Sequence, residues 1–183
     1  MLQPNFTPFP VLETERLVLR RIQATDAAAL LFLRSDERVM AYIDKERAKT
    51  IKDAEQFILT INTFLAGNDG ITWAMALKET PSQLIGTIGL WRIIKQHYRA
   101  EIGYMLHPDH WKKGLMKEAV IRVNDFGFND LKLHSIEAHI NPGNIGSATL
   151  LESTGYIREA YFKEDFFFNG TFRDTAIYSK LNK

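Results

Sequence analysis

The chain has 183 residues, 45% of them hydrophobic and 25% charged, which suits one globular domain over residues 1–183 and argues against disorder or a fibre. A formal charge of +1 gives no basic excess for holding nucleic acid directly, and the absence of cysteine removes disulfides, thiolate metal sites and a cysteine nucleophile. No apolar run approaches the ~20 residues of a membrane span, and Met1 to Pro10 lacks the basic start of a signal peptide, so a cytoplasmic protein is expected.

The prolines of the first ten residues predict an extended lead-in. Leu17 to Ile22 is β-rich, and Thr25 is the expected N-cap of a short helix through Ala27, Leu30, Leu31 and Leu33. Ala54, Phe57, Ile58, Ile61 and Leu65 recur at spacings of three and four and predict a second helix, stopped by Gly67. Three strands follow, Ile71–Leu77, Leu84–Ile94 and Tyr98–Leu106, with short polar connections that suggest an antiparallel meander. Met116, Ala119, Val120, Val123 and Phe126 share one helical face. Ser135–Ile140 reads as a strand, and Ile145, Ala148 and Leu151 mark a last helix ended by Gly155. Tyr156–Phe168 and Thr171–Leu181 are strands joined at Asn169-Gly170, a dipeptide whose residues both accept positive φ. The order β-α-α-β-β-β-α-β-α-β-β predicts a three-layer α+β domain. Its sheet is mixed and mostly antiparallel, with a parallel pair where a helix crosses over.

The chemically informative stretch runs from Glu101 through Leu106, across His107-Pro108-Asp109-His110, to Trp111-Lys112-Lys113-Gly114-Leu115-Met116-Lys117-Glu118-Ala119. A strand ends, a basic loop with one glycine follows, and a helix begins. The first turn of a helix offers unpaired N–H groups and a partial positive charge, and three lysines add to it, so a pyrophosphate is a natural guest. A solvated helix start that carries lysines is the plain structural alternative.

These motifs together resemble the GNAT superfamily of N-acetyltransferases, in particular its Rim-type branch, which contains ribosomal-protein N-terminal acetyltransferases. Trp111-x-Lys113-Gly114, followed by Glu118-Ala119, is similar to the family's pyrophosphate loop. The opening Leu12-Glu13-Thr14-Glu15-Arg16-Leu17, the strand motif Glu101-Ile102-Gly103-Tyr104, and Asn144-Ile145-Gly146-Ser147 with Gly155-Tyr156 match that branch in order. Lys112 stands where a glycine is common and fits there at a negative φ. Met116 replaces a small residue.

The resemblance implies a three-layer α/β/α acyl-CoA N-acyltransferase fold and acetyl-CoA as acetyl donor, with no metal. Met105, Leu106, His107, Lys112, Lys113, Gly114, Leu115, Met116, Lys117, Asn144 and Ser147 are its implied cofactor-binding residues. Backbone at Met105 and Leu106 is expected to pair with pantetheine, and one of those N–H groups to serve as oxyanion donor. Glu101 is the implied general base, with an ion pair to Arg92 or Arg99 as its structural alternative. Ser147 is the implied acid for the leaving thiolate, with helix capping as its alternative; Tyr156, Tyr161 and Tyr178 are reserve acids. The expected acceptor is a protein N-terminus or a small amine, and the protein a monomer or homodimer; Phe166-Phe167-Phe168 reads as divided between core and a partly covered strand face, with a dimer contact as the alternative. A non-catalytic acyl-CoA-binding protein and an unrelated nucleotide-phosphate binder are the competing classes. Residues 34–56 mix both charges and do not choose an acceptor.

Overall fold

A computed structural model describes residues 1–182. Chain order is β1 (Leu12–Glu13), β2 (Leu17–Arg21), α1 (Ala27–Ser35), α2 (Glu37–Met40), α3 (Ile51–Ala66), β3 (Ile71–Leu77), β4 (Gly86–Ile94), β5 (Arg99–Leu106), α4 (Leu115–Asp125), β6 (Ser135–Ile140), α5 (Ile145–Ser153), β7 (Ile157–Phe168) and β8 (Thr171–Leu181). The strands form one eight-stranded sheet in the order β1-β2-β3-β4-β5-β6-β8-β7. All neighbours are antiparallel except β5 and β6. The expected meander, crossover and final hairpin are all present, and Asn169 and Gly170 turn that hairpin with φ of 48° and 77°.

The layers follow from strand alternation. Leu17, Leu19, Trp73, Met75, Ile88, Leu90, Ala100, Ile102 and Ile136 point to one face. There they bury against Ala119, Val120 and Val123 of α4 and Leu151 of α5. The opposite face carries a smaller cluster, where Leu30 and Leu33 of α1 and Ala54, Ile58 and Ile61 of α3 cover Ile22, Ala74 and Leu84. That second layer covers the β2–β3 side only. Further along the same face the sheet presents polar side chains, and this leaves room for a site.

Local signals explain most element boundaries. Thr50 caps α3, its backbone N–H donating to Asp53 Oδ2 at 2.8 Å while Asp53 N–H reaches back to Thr50 Oγ1 at 3.4 Å. Gly155 ends α5 with φ of 88°. One expectation fails, and one short helix lies outside the predicted order. Thr25 is not the cap of α1; it lies inside a single 3-10 turn, Ala24–Asp26, that precedes the helix. The short α2 carries too few apolar residues to show a helical period, and its start is fixed instead by Asp36 accepting from Arg38 N–H.

Asp26 is the buried polar anchor of this region, 4% exposed. Its carboxylate takes both ends of the Arg20 guanidinium at 2.8 Å and also accepts Gln23 N–H at 2.8 Å. Arg20 in turn donates to the carbonyls of Pro81 and Ser82, tying the β3–β4 turn to β2. Asp26→Ala would strand that guanidinium and should lower unfolding stability by about 2–3 kcal/mol in urea titrations. Asp26→Asn, which keeps an acceptor for Gln23, should lose less.

Candidate active site

The site begins where the sheet opens. β5 and β6 are in register only over Arg99↔Ser135, Ala100↔Ile136 and Glu101↔Glu137. Beyond Glu101, β5 keeps its β4 neighbour and loses β6. His107 N–H donates to Ile85 C=O at 2.8 Å, and the ladder Gly86↔Leu106, Thr87↔Met105, Ile88↔Tyr104 runs on from it. Antiparallel pairs alternate, so Met105 spends its backbone groups on β4, while those of Tyr104 and Leu106 face the open side. The backbone of Met105, expected to face a ligand, is therefore engaged with β4, and the open side is carried by Tyr104 and Leu106. Trp111 Nε1 donates to Leu106 C=O at 2.8 Å, so Leu106 N–H is the group that remains.

The basic loop is held in a defined shape. Lys112 has φ of 59° and Gly114 φ of 77°. The positive φ at Lys112 corrects the expectation of a negative value there: the chain turns left-handed at both positions before α4 begins. Gly114 occupies the N-cap position, and the amides of Leu115, Met116 and Lys117 form the first turn, where no helical acceptor is available. Leu115 and Met116 bury their side chains in the core, 4% and 9% exposed, so they offer the loop backbone only. Lys112, Lys113 and Lys117 are exposed around it.

A clamp that the sequence did not reveal fixes this loop to the start of the sheet. Arg16 Nη1 donates to Lys113 C=O at 2.9 Å, and its Nε to Glu118 Oε2 at 2.8 Å. Glu118 also accepts from Arg16 N–H at 2.8 Å and from the Thr14 hydroxyl. Hydrogen bonding from Thr14 and Arg16 outweighs burial and holds the Glu118 carboxyl below its usual range. His107, expected on the cofactor, stacks on Phe32 of α1 with ring centres 4.3 Å apart.

Ser147 sits on α5 facing the open edge. Its N–H is capped by Asn144 Oδ1 at 3.0 Å, so Asn144 is engaged as the helix cap. The Ser147 hydroxyl is 7% exposed as a residue and lies 2.7 Å from the Tyr104 hydroxyl. Burial pushes the Tyr104 phenol up to about 12, against a smaller opposing pull from Ser147. The reserve tyrosines are elsewhere: Tyr156 donates to Asn124 at 2.7 Å, Tyr161 to Asp174, and Tyr178 to Glu152 at 3.4 Å. Tyr104 was legible as a motif residue but not as Ser147's partner, since its role depends on how α5 docks.

Glu101 lies on the opposite face of β5, 7% exposed, and its Oε2 accepts from Arg92 Nη1 at 2.8 Å. The β4 ladder shifts register between Trp91 and Ile94, and Arg92 adopts φ of 45° within that bulge. The bulge re-aims Arg92 onto the Trp91 side of the sheet, where it meets Glu101. Among the described residues no hydrogen bond engages Glu101 Oε1.

A strand that loses its neighbour, a left-handed glycine at a helix start and a serine hydrogen-bonded to that strand's Tyr104 are the features the candidate site combines. The acetyltransferase (GNAT) domain model matches residues 16–157, which span every one of these elements. The chain belongs to the GNAT family of acetyltransferases. Among its relatives, the N-acetyltransferase YoaA of Bacillus subtilis is 37% identical over 171 residues, covering 93% of this chain and 96% of the relative. A ribosomal-protein-S5-alanine acetyltransferase from Vibrio fischeri superposes with a TM-score of 0.83 at 26% identity, covering 95% and 97% of the two chains. A spermidine N-acetyltransferase from Vibrio cholerae, solved with CoA and spermine, superposes with a TM-score of 0.79 at 26% identity over 90% and 95%. This GNAT is thus an N-acetyltransferase with Rim-type relatives, on the fold expected of it.

The buried phenol of this GNAT makes a pH prediction. Below pH ~10 tyrosine is neutral folded or unfolded. As pH rises from there towards about 12 the unfolded chain releases the Tyr104 proton while the folded protein retains it, so stability is intact below pH 10 and lost above it. Tyr104→Phe should flatten that alkaline loss in urea midpoints measured from pH 8.5 to 11.5. Tyr156, also raised, keeps the loss from vanishing.

Proposed function

We propose that this protein transfers the acetyl group of acetyl-CoA to a primary amine by direct attack in a ternary complex. The observation that carries the reading is the unpaired edge of β5 leading straight into the left-handed Gly114 loop. The donor set fits the co-substrate. Tyr104 and Leu106 offer strand-like backbone to an amide-rich arm. The amides from Gly114 to Lys117, with Lys112 and Lys113 beside them, offer donors and positive charge to a diphosphate. Asn144 contributes by holding the start of α5, and with it Ser147, against the groove.

The chemistry asked of the side chains is proton handling. An α-amine has a pKa near 8 and must lose a proton before or during attack. Glu101, with Oε1 unengaged, is the proposed acceptor of that proton, directly or through water. Leu106 N–H is the proposed donor to the developing oxyanion. Ser147 is the proposed acid for the leaving thiolate. Tyr104 stays protonated throughout the working pH range and can donate to Ser147 Oγ, which leaves the serine proton pointing away from the phenol. For the acceptor, both a protein N-terminus and a small amine fit this chemistry; the two relatives above act on one of each by name.

Release of free thiol from acetyl-CoA over a panel of amino-terminal peptides and small amines tests the reading. Ser147→Ala should lower kcat by roughly 10²-fold or more, with CoA affinity nearly unchanged. An unaltered kcat would hand the acid role to Tyr104 or water.

Gly114→Asp sets a carboxylate against the proposed diphosphate donors. Calorimetry should show CoA binding weakened at least ~10-fold, by analogy with other helix-start anion sites. Glu101→Gln should depress kcat/KM most near neutral pH and recover as the amine deprotonates unaided. A profile scaled by one constant at every pH would remove Glu101 from the mechanism.

A further inference from the structure

The charges that the sequence leaves mixed are sorted by the fold. Residues 34–48 hold Arg34, Arg38, Lys45 and Arg47 against Asp36, Glu37, Asp44 and Glu46. Arg38 pairs with Asp36 at 2.7 Å and Arg47 with Glu37 at 2.7 Å, both on the outer surface. Asp44 turns to Arg173 of β8 at 3.9 Å, and Glu46 is exposed. Arg34 and Lys45 are left, and among the described residues neither has a carboxylate within ion-pair distance.

These two cations border the face of the sheet that carries Glu101. The segment from Tyr42 to Lys45 crosses above it. Tyr42 packs so close to Gly143 that a Cβ there would stand 3.2 Å from its ring, Asp44 reaches β8, and Lys45 Nζ lies 5.3 Å from the centre of the Trp91 ring. Trp91 itself lies flat on Gly103, where a Cβ would come within 2.7 Å of the indole, and it is the register partner of Glu101. Arg34 stands over the Phe57 ring at 4.1 Å. The two carboxylates named on this floor already have a cation each: Glu101 has Arg92 at 2.8 Å, and Glu137 has Arg99 at 3.6 Å. The balance is therefore positive by the two unpaired groups.

Hydrogen-bonding capacity points the same way. Trp91 Nε1, on the face that carries Glu101, is a buried donor with no acceptor among the described residues. Buried donors are normally satisfied, so this one, with Lys45 above its ring, marks a place for an acceptor group from outside the chain. Burial first, then the Arg34 and Arg92 charges, draws the Lys45 ammonium below its ordinary value, with Glu101 opposing; burial alone does so for Arg34. Cations that repel one another in a partly desolvated space are relieved by an anion.

We infer that the acceptor amine carries a carboxylate close to its amino group, received by Lys45 and Arg34 while Glu101 faces the amine. This rests on the acetyltransferase reading above and narrows its substrate class. A polyamine, which brings only positive charge, would meet two uncompensated cations. Excess acidic side chains would serve such a ligand, and the floor has none to spare.

Two matched pairs test the inference, alanine against alaninamide and Ala-Asp amide against Ala-Asn amide, with spermidine as the polyamine arm. Initial rates of thiol release give kcat and KM for the wild type and for Lys45→Gln and Arg34→Gln. In at least one pair the acid should exceed its amide at least ~10-fold in kcat/KM, and the gap should fall below threefold in Lys45→Gln through KM, with kcat kept. A preference for spermidine or for the amides overturns the inference, as does an acid preference that survives both substitutions. If no amine releases thiol although CoA binds, the acetyltransferase reading fails by itself. Calorimetric titration of the same pairs into the CoA complex then decides the anion site: tighter binding of the acids, lost in Lys45→Gln, upholds it, and equal or absent binding overturns it.

Discussion

The separation of β5 from β6 after three registered pairs is the constraint on which the rest depends. A strand deep in a sheet normally has both rows of backbone groups satisfied. Here the second row of β5 is left open at Tyr104 and Leu106, in the middle of the domain and away from any sheet edge. The parallel direction of the pair follows from α4 crossing between the two strands. The same crossover puts the start of α4 directly after the open edge, so a strand-like surface and a helix start become consecutive parts of one groove. Ser147 reaches that groove because α5 follows β6 on the same face as α4.

The site needs its loop held still, and the start of the matched region folds back onto the beginning of α4 to do it. Arg16, in the turn before β2, spans Lys113 and Glu118 more than ninety residues later. Thr14, Arg16 and Glu118 thus form one device, and this gives a physical reason for the opening motif to accompany a distant Glu-Ala in this chain. Glu118 is partly exposed and Arg16 more so, 18% and 46% by side chain, so the pair serves geometry more than stability.

Much of this was readable from residues alone. Apolar periods of two and about 3.6 located the long strands and helices, and Asn169-Gly170 located the hairpin turn. The basic glycine loop stood out because its chemistry is local. What escaped were relations set by docking or by backbone that no residue type announces. The left-handed φ of Lys112 and Arg92 belongs to residues with no special liking for it. Met105 and Leu106 look equivalent in sequence, and only the ladder register tells which backbone is spent on β4. Tyr104 and Ser147 are 43 residues apart and meet through the packing of α5. The resemblance supplied what spacing could not, namely which of several polar residues to examine first.

The covering segment between α2 and α3 has a wider consequence. It is tied down by ion pairs at the surface, such as Arg47 with Glu37 and the long Arg173–Asp44 contact, and exposed pairs of this kind contribute about 0–1 kcal/mol each. Its residues Tyr42 to Arg47 bury nothing in either apolar cluster. The proposed donor side, by contrast, is β5 and the first turn of α4, whose Leu115 and Met116 are part of the main core. One half of the groove is therefore locked to the stability of the domain, and the other half can be rewritten with little penalty. On the proposed assignment, a lineage using this scaffold can exchange the molecules it modifies by drift in these few surface residues while the half proposed to hold the acetyl donor stays fixed.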